Sequence, residues 1–166
     1  MSHNNDKRLF LIDAYAMIFR GYYALIRSPR ITSDGKDTSA IFGFTNSLIE
    51  LIRRERPTHL AVVFDVGEAS VRTADFSDYK ANRSETPEAI KIAIPYIHRI
   101  LEAMHVPILG VEGYEADDVI GTIACKAEKE GYTTYMVTPD KDFAQLVTDK
   151  IKIYKPGLKG AEFEIL

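Results

Sequence analysis

Three short apolar runs constrain the fold of this chain more than any other feature. The runs are continuous and rich in β-branched or aromatic residues, which is typical of strands buried on both faces. They lie at residues 9–12, 60–64 and 132–137. Helix-like stretches separate them, and this alternation indicates βαβ units with a parallel sheet. We therefore predict an α/β fold with a mainly parallel central sheet.

Acidic residues follow each of these runs. Asp13 and Asp65 come directly after the first two, and Asp140 and Asp142 come shortly after the third. Because parallel strands all end at the same edge of a sheet, we expect these carboxylates to share one rim, where α/β folds place their sites. A simpler explanation is local capping, since Asp commonly begins loops and helices.

Three further carboxylates, Glu115, Asp117 and Asp118, lie at the start of a predicted helix. The helix dipole alone would favour acidic residues in a first turn. However, Glu115 and Asp118 are three positions apart and hence on one helix face, where like charges oppose helix stability. A cation between or beyond them is the better account.

The electrostatic repulsion among so many carboxylates indicates what kind of ion would bind between them. Two carboxylates about 5 Å apart at an effective dielectric constant of about 20 repel by roughly 3 kcal/mol, so protons or a metal must compensate. Hard oxygen ligands favour Mg²⁺ or Mn²⁺, and the absence of paired His or Cys ligands argues against zinc. Two such ions about 4 Å apart can activate water and stabilise the leaving oxygen of a phosphodiester.

Length and composition bound the remaining possibilities. The 166 residues, 46% of them hydrophobic, predict one domain over 1–166 with an adequate core. A net charge of −3 lacks the basic excess of an ordinary duplex-DNA binder, although local basic patches remain possible. The single cysteine, Cys125, falls in a helical pattern and excludes an intrachain disulfide. No signal peptide or membrane span is visible, so we expect a cytoplasmic protein with no membrane partner.

Periodicity and capping signals place the other elements. The first strand leads into a Tyr-rich connector and then a loop at 28–37. Helices are predicted from Thr38 or Ser39 to about 55, from Pro87 to about 104 with a kink at Pro95, at 114–129 and at 141–147. Further strands are predicted at 106–111 and 151–154. Residues 66–85 have no clean period and predict an irregular excursion.

Six segments carry a specific resemblance in their order and spacing: 11–13, 20–24, 62–65, 78–83, 113–122 and 140–147. Together they resemble the 5′ nuclease domain at the N-terminus of bacterial DNA polymerase I, a relative of flap endonucleases. The resemblance covers essentially the whole chain and implies a three-layer PIN-like fold with helices on both faces of the sheet. It also implies Mg²⁺ or Mn²⁺, two ions in the complete domain. The implied ligands, direct or through water, are Asp13, Asp65, Glu115, Asp117, Asp118, Asp140 and Asp142.

The same resemblance implies a nucleic-acid interface. Its members match positions that contact the phosphates or terminal nucleotides of a branched DNA: Arg20, Arg72, Tyr79, Lys80 and Arg83. Lys and Arg neutralise phosphates, and Tyr22 or Tyr79 would stack an unpaired base. For each basic residue alone a solvated surface charge is the more common explanation, and Lys80 and Arg83 are the first candidates for a catalytic role. The excursion at 66–85 resembles the start of a mobile arch around a 5′ single strand.

Two departures from the family pattern matter. Pro139 stands where the family usually has Gly before the Asp-Lys-Asp motif, which would alter the turn that aims Asp140. The family also continues into a helix-rich segment that grips duplex DNA and adds aspartates to the second metal. The resemblance thus implies a fragment of a longer polymerase, with an incomplete site.

The expected function is that of a metal-dependent 5′-3′ exonuclease or flap endonuclease acting on DNA with a 5′ flap or 5′ single strand, or on an RNA primer. Three alternatives stay open. A DNA-binding module without catalysis would bind but not cut. A phosphoacceptor receiver domain expects an acidic pair after the first strand, where this chain has only Asp13. A PIN-type ribonuclease shares the acidic rim but not the block at 79–83, and RNA flaps tested against DNA flaps would separate it.

Overall fold

A six-stranded sheet lies at the centre of residues 6–66, 86–156 and 163–165, which this computed structural model describes. The strands run in the spatial order β3-β2-β1-β4-β5-β6. Neighbours from β3 to β5 pair in parallel, and β6 pairs with β5 in the antiparallel direction. The strand bounds are β1 Arg8–Asp13, β2 His59–Val63, β3 Ile108–Leu109, β4 Thr133–Val137, β5 Ile151–Pro156 and β6 Phe163–Ile165.

Helices cover both faces of this sheet. In the described part of the chain the α-helices are α1 Ala14–Ala24, α2 Ser39–Glu55, α3 Glu88–Ala103 and α4 Ala116–Lys129, and a 3-10 helix spans Lys141–Leu146. Alternate side chains of β1 separate the two cores: Phe10 and Ile12 pack with α1, α2 and α3, whereas Leu11 packs with α4 and the 3-10 helix. The predicted three-layer α/β architecture is therefore confirmed.

The sheet order reverses direction between β1 and β4. From β1 the chain builds outward through β2 to β3, then returns to place β4 on the other side of β1. In open α/β sheets this topological switch point opens a crevice at the carboxyl ends of the strands, and ligands bind there. The residues that follow β1 and β4 consequently occupy the position where this architecture places a site.

The chain between β1 and the loop at 28–37 is a helix, so the predicted Tyr-rich connector is wrong. Asp13 caps α1, because its side chain accepts a hydrogen bond from the Ala16 N–H. Tight contact with α2 also holds α1 in place: a Cβ atom built on Gly21 would lie 2.7 Å from the carbonyl carbon of Gly43. Tertiary packing, rather than a polar and apolar face, defines this helix.

Most of the other predicted elements lie within a few residues of their expected bounds. The predicted strand at 106–111 is reduced to the two residues of β3, and α4 begins at Ala116 rather than 114. Pro95 lies inside α3, and Cys125 is exposed on α4, as a helix-surface thiol would be. The antiparallel β6 was not predicted. In the described part of the chain no helix is both long and apolar enough to span a membrane.

Candidate metal centre

Four half-buried carboxylates gather at the carboxyl edge of the sheet, around the switch point. Asp13 ends β1, Asp65 follows β2, Asp117 lies in the first turn of α4, and Asp140 precedes the 3-10 helix. Asp13, Asp65 and Asp140 are close enough to Asp117 for their charges to raise the pKa of its carboxyl. The structure thus brings together carboxylates from four segments that are far apart in sequence.

Asp13 serves the fold and the rim at once. One carboxylate oxygen accepts a hydrogen bond from the Ala16 N–H at 3.3 Å and caps α1. The other lies 3.5 Å from the hydroxyl oxygen of Thr138, the residue that follows β4. The capping explanation for Asp13 therefore holds, and it leaves the second oxygen turned toward the neighbouring strand.

Asp65, shortly after β2, anchors the start of α4. Its Oδ1 accepts a hydrogen bond from the Ala116 N–H at 2.6 Å. Glu115 occupies the N-cap position of α4, but its side chain does not cap the helix. The first N–H groups of a helix have no partner within it, so Asp65 replaces the local cap. This bond fixes the start of α4, and with it Asp117, relative to β2.

Asp117 is the carboxyl most affected by this arrangement. Burial raises its pKa from 3.8 to about 7, and repulsion from Asp13 and Asp140, a hydrogen bond shared with Asp140, and repulsion from Asp65 add to the rise. Near neutral pH and without a cation, Asp117 therefore holds a proton for a substantial fraction of the time. A divalent cation at this rim would compete with that proton.

Thr138 joins the two sides of the switch point, and the sequence reasoning missed it. Its hydroxyl oxygen accepts a hydrogen bond from the Asp140 N–H at 3.2 Å and lies 3.5 Å from Asp13 Oδ2. The Asp140 carboxylate in turn accepts from the Asp142 N–H at 2.9 Å. Position alone carried a signal, since Thr138 immediately follows a buried run, as Asp13 and Asp65 do.

The other predicted acidic residues lie farther out. Asp118 and Asp142 are exposed, and Glu115 is half-buried. Glu115 is the N-cap residue of α4 and has extended backbone torsions (φ −78°, ψ 159°), so it precedes the first turn, while its carbonyl oxygen accepts a hydrogen bond from the Asp118 N–H at 3.1 Å. Asp117, in the first turn, is close enough to Asp13, Asp65 and Asp140 for their charges to raise its pKa.

The donor set fits a hard divalent cation in chemistry and charge. Carboxylate oxygens are the ligands that Mg²⁺ and Mn²⁺ prefer, and the groups that act with burial to raise the pKa of Asp117 are themselves carboxylates. Among residues 6–66, 86–156 and 163–165, no three His, Cys, Asp or Glu side chains are arranged closely enough to hold a metal ion. The described carboxylates thus lie near one another, but no three of them are arranged as a complete set of metal ligands.

The predicted nucleic-acid residues divide between described and undescribed parts. Arg20 and Tyr22 are half-buried on α1, and partial burial lowers the pKa of the Arg20 guanidinium. Tyr22 packs edge-on against Tyr23, whose ring centroid lies 5.1 Å away. Because Tyr23 is 48% exposed, it is the more available aromatic surface on α1, and sequence reasoning did not select it. Arg72, Tyr79, Lys80, Arg83 and the excursion predicted beyond Val66 lie outside the described residues.

Comparison with known proteins gives this geometry a family. A family model described as "5'-3' exonuclease, N-terminal resolvase-like domain" matches residues 8–165. The chain is 38% identical over 160 residues to DNA polymerase I of Bacillus subtilis, covering 95% of the chain and 18% of that protein. It is 39% identical over 150 residues to the 5′-3′ exonuclease of Aquifex aeolicus, covering 90% of the chain and 51% of that protein.

Solved structures with the same fold are more distant in sequence. The T5 5′-exonuclease with bound divalent metal ions (zinc) aligns with a TM-score of 0.59 at 19% identity, over 95% of this chain and 58% of that one. The catalytic core of Rad2 in complex with DNA substrate aligns with a TM-score of 0.53 at 19% identity, over 99% of this chain and 48% of that one. These likenesses establish the fold alone. The family match and the curated relatives confirm the resemblance seen in the sequence: the chain belongs to the family of N-terminal, resolvase-like domains of 5′-3′ exonucleases.

Proposed function

We propose that this chain is a divalent-metal-dependent 5′ nuclease domain that hydrolyses phosphodiesters in DNA carrying a 5′ flap or a 5′ single strand. Family membership makes a nuclease the first expectation. The chain spans about a fifth of the DNA polymerase I relatives and about half of the Aquifex relative. That it shares the 5′-3′ exonuclease activity of the Aquifex relative is part of the proposal.

One observation carries the proposal: Asp13, Asp65, Asp117 and Asp140 converge at the switch point of the sheet. Such a convergence raises the free energy of the folded chain unless protons or cations relieve it. Structural capping accounts for one oxygen each of Asp13, Asp65 and Asp140, and it does not explain why these carboxylates surround the half-buried Asp117. A cation-binding role accounts for all four carboxylates together.

In this proposal Asp13, Asp117 and Asp140 hold Mg²⁺ or Mn²⁺, with Asp65, Glu115, Asp118 and Asp142 as additional direct or water-mediated holders. Two ions are expected in the complete domain. Bound there, the cation would lower the pKa of a water molecule and stabilise negative charge on the phosphodiester.

The chain's own residues prepare the rim for this chemistry. The Asp65 bond to the Ala116 N–H fixes α4, so that Asp117 is presented to the carboxyl ends of β1 and β4. Asp117 is protonated below pH about 7 and ionised above it, and the ionised form is the one that can hold a cation. No side chain has to form a covalent intermediate.

DNA binding in this proposal uses α1 together with residues beyond the described ranges. Arg20 would neutralise phosphate, and Tyr22 with the more exposed Tyr23 would stack an unpaired base. Arg72, Tyr79, Lys80 and Arg83 are proposed to contact the 5′ strand, with Lys80 and Arg83 near the reacting phosphate. Rad2 was solved in complex with DNA substrate, which supports a nucleic-acid substrate for this fold.

Cleavage of a 5′-labelled DNA flap by this chain in Mn²⁺ tests the proposal. We expect cleavage that EDTA abolishes. Asp117→Asn should reduce cleavage by at least about a hundredfold, because an uncharged amide attracts the cation much less than a carboxylate does. Asp149→Asn is the matched control, since Asp149 is an exposed aspartate in the turn before β5, at the opposite edge of the sheet. Equal cutting by the Asp117→Asn and Asp149→Asn variants would contradict the proposal.

A second candidate is a DNA-binding module that does not cut in this form. It is favoured by the lack of a three-ligand arrangement within the described ranges. The discriminating result is retained flap binding by the folded chain with no Mn²⁺-dependent product. A PIN-type ribonuclease would instead cut an RNA flap in preference to the DNA flap of the same sequence.

A further inference from the structure

We propose that Thr138 is a positioning residue, whose hydroxyl fixes the Asp13 carboxylate relative to the turn that carries Asp140. This inference deepens the proposed function and rests on it. Thr138 directly follows β4, and only 1% of its surface is exposed. A polar group so deeply buried is costly unless it is hydrogen-bonded, which makes its partners informative.

The hydroxyl of Thr138 has one partner on each side of the switch point. Its oxygen accepts a hydrogen bond from the Asp140 N–H at 3.2 Å. Its single proton therefore remains available for Asp13 Oδ2, which lies 3.5 Å away. One side chain thereby links the end of β1 to the segment after β4.

This link sets the orientation of both carboxylates. Asp13 Oδ1 accepts from the Ala16 N–H, so the bonds to its two oxygens together leave the Asp13 carboxylate little freedom to rotate. Asp140 is fixed through its own N–H, and its Oδ1 accepts from the Asp142 N–H. Groups that orient metal ligands without touching the metal typically change metal affinity by 10- to 100-fold when removed.

A packing role alone does not explain these bonds, as a buried threonine within the preceding strand shows. Thr134 lies within β4 and is fully buried, yet within the described part of the chain its hydroxyl has no hydrogen-bond partner. Burial beside this strand therefore does not by itself supply partners to a threonine. Thr134 is the second residue of β4, far from the carboxyl end of the strand that Thr138 follows, and provides a matched control.

Mn²⁺ affinity measured by titration calorimetry on the 166-residue chain at pH 8 tests the proposal. The variants are Thr138→Val, which keeps the shape and removes the hydroxyl, Thr138→Ser, which keeps the hydroxyl, and Thr134→Val. We expect Thr138→Val to weaken Mn²⁺ binding by at least about tenfold. Thr138→Ser should stay within about threefold of the unmodified chain, and Thr134→Val within about twofold. Thermal unfolding in EDTA establishes that each variant is folded.

Three results would overturn the inference. Equal Mn²⁺ affinity of Thr138→Val and the unmodified chain would contradict the positioning role of Thr138 and would not affect the proposed function. A loss in Thr138→Ser as large as in Thr138→Val would make the role steric. Absence of Mn²⁺ binding by the unmodified chain would overturn the proposed function and this inference together. If Thr138→Val does not fold, Thr138→Ala removes the same hydroxyl and is held to the same expectation.

Discussion

At the scale of single residues, Asp117 links the packing of the fold to its charge. Burial and three neighbouring carboxylates raise its pKa to about 7. An aspartate in an unfolded chain keeps a pKa near 3.9, so folding binds a proton at this site between those two pH values. The contribution of Asp117 to stability is therefore fully present below about pH 4 and is lost as pH rises through about 7.

Asp117→Asn should consequently stabilise the metal-free chain at high pH. Asn carries no charge at any pH, so the free energy of unfolding of this variant in EDTA should exceed that of the unmodified chain at pH 8 and match it at about pH 3.5, below the pKa of the unfolded carboxyl. Solvent screening of the half-buried carboxyl limits the difference at pH 8 to about 1 kcal/mol. Denaturant unfolding at both pH values measures it. A difference between the two proteins that does not change with pH would contradict the assignment, and Asp149→Asn should show no such change.

Asp65 combines a structural bond with a charge, and two substitutions separate them. Asn keeps an oxygen that can accept from the Ala116 N–H, whereas Ala leaves that N–H unbonded. We expect Asp65→Ala to be less stable than Asp65→Asn by about 1 kcal/mol, as for loss of a helix N-cap. Thermal unfolding in EDTA checks this. Equal stability of the two variants would mean that the 2.6 Å bond does not secure α4.

Which carboxylates reach the rim was only partly predictable from sequence. Asp13 and Asp65 could be placed because each ends a buried run, and parallel strands end at one edge. The sequence could not show that Asp117, rather than Asp118, lies at the rim, because that depends on where α4 begins. Glu115 stays extended since Asp65, remote in sequence, supplies the cap. Thr138 was missed because its importance lies in two hydrogen bonds that no sequence pattern reports.

At the scale of elements, α1 is a helix where the sequence predicted a connector. Its residues are apolar on most sides and rich in tyrosine, so no period of 3.6 stands out. The helix is held by Gly21 against Gly43 of α2, where the two backbones meet without intervening side chains. A contact of this kind depends on the shapes of both helices. The sequence of either segment alone therefore does not predict it.

Gly21→Ala should therefore disrupt the pairing of α1 with α2. The new Cβ would lie 2.7 Å from the Gly43 carbonyl carbon, which is backbone and cannot rotate away. We expect a loss of about 3 kcal/mol in the free energy of unfolding, measured by denaturant titration. Gly121→Ala in α4 is the control: among the described residues its Cβ would meet the flexible end of the Leu146 side chain, so the loss should be less than about 1 kcal/mol. Similar losses in both variants would show that the helix contact is not tight.

At the scale of the whole molecule, the order of the strands makes the site. Continuous apolar runs predicted a parallel sheet, and its five parallel strands are present. The return of the chain from β3 to β4 places Asp13 and Thr138 side by side although 125 positions separate them in sequence. The antiparallel β6 escaped prediction because a strand of three residues is too short for its pattern to be recognised.

Binding of a divalent cation at the Asp13, Asp117 and Asp140 carboxylates is the central claim of this account. A crystal of the chain grown with Mn²⁺ at pH 8, with data recorded on both sides of the manganese absorption edge, tests it most directly. The account predicts an anomalous peak within coordination distance, about 2.2 Å, of oxygens from at least two of these carboxylates, and its loss in crystals of Asp117→Asn. A well-ordered rim with no manganese peak, or a peak that persists unchanged in Asp117→Asn, would contradict it.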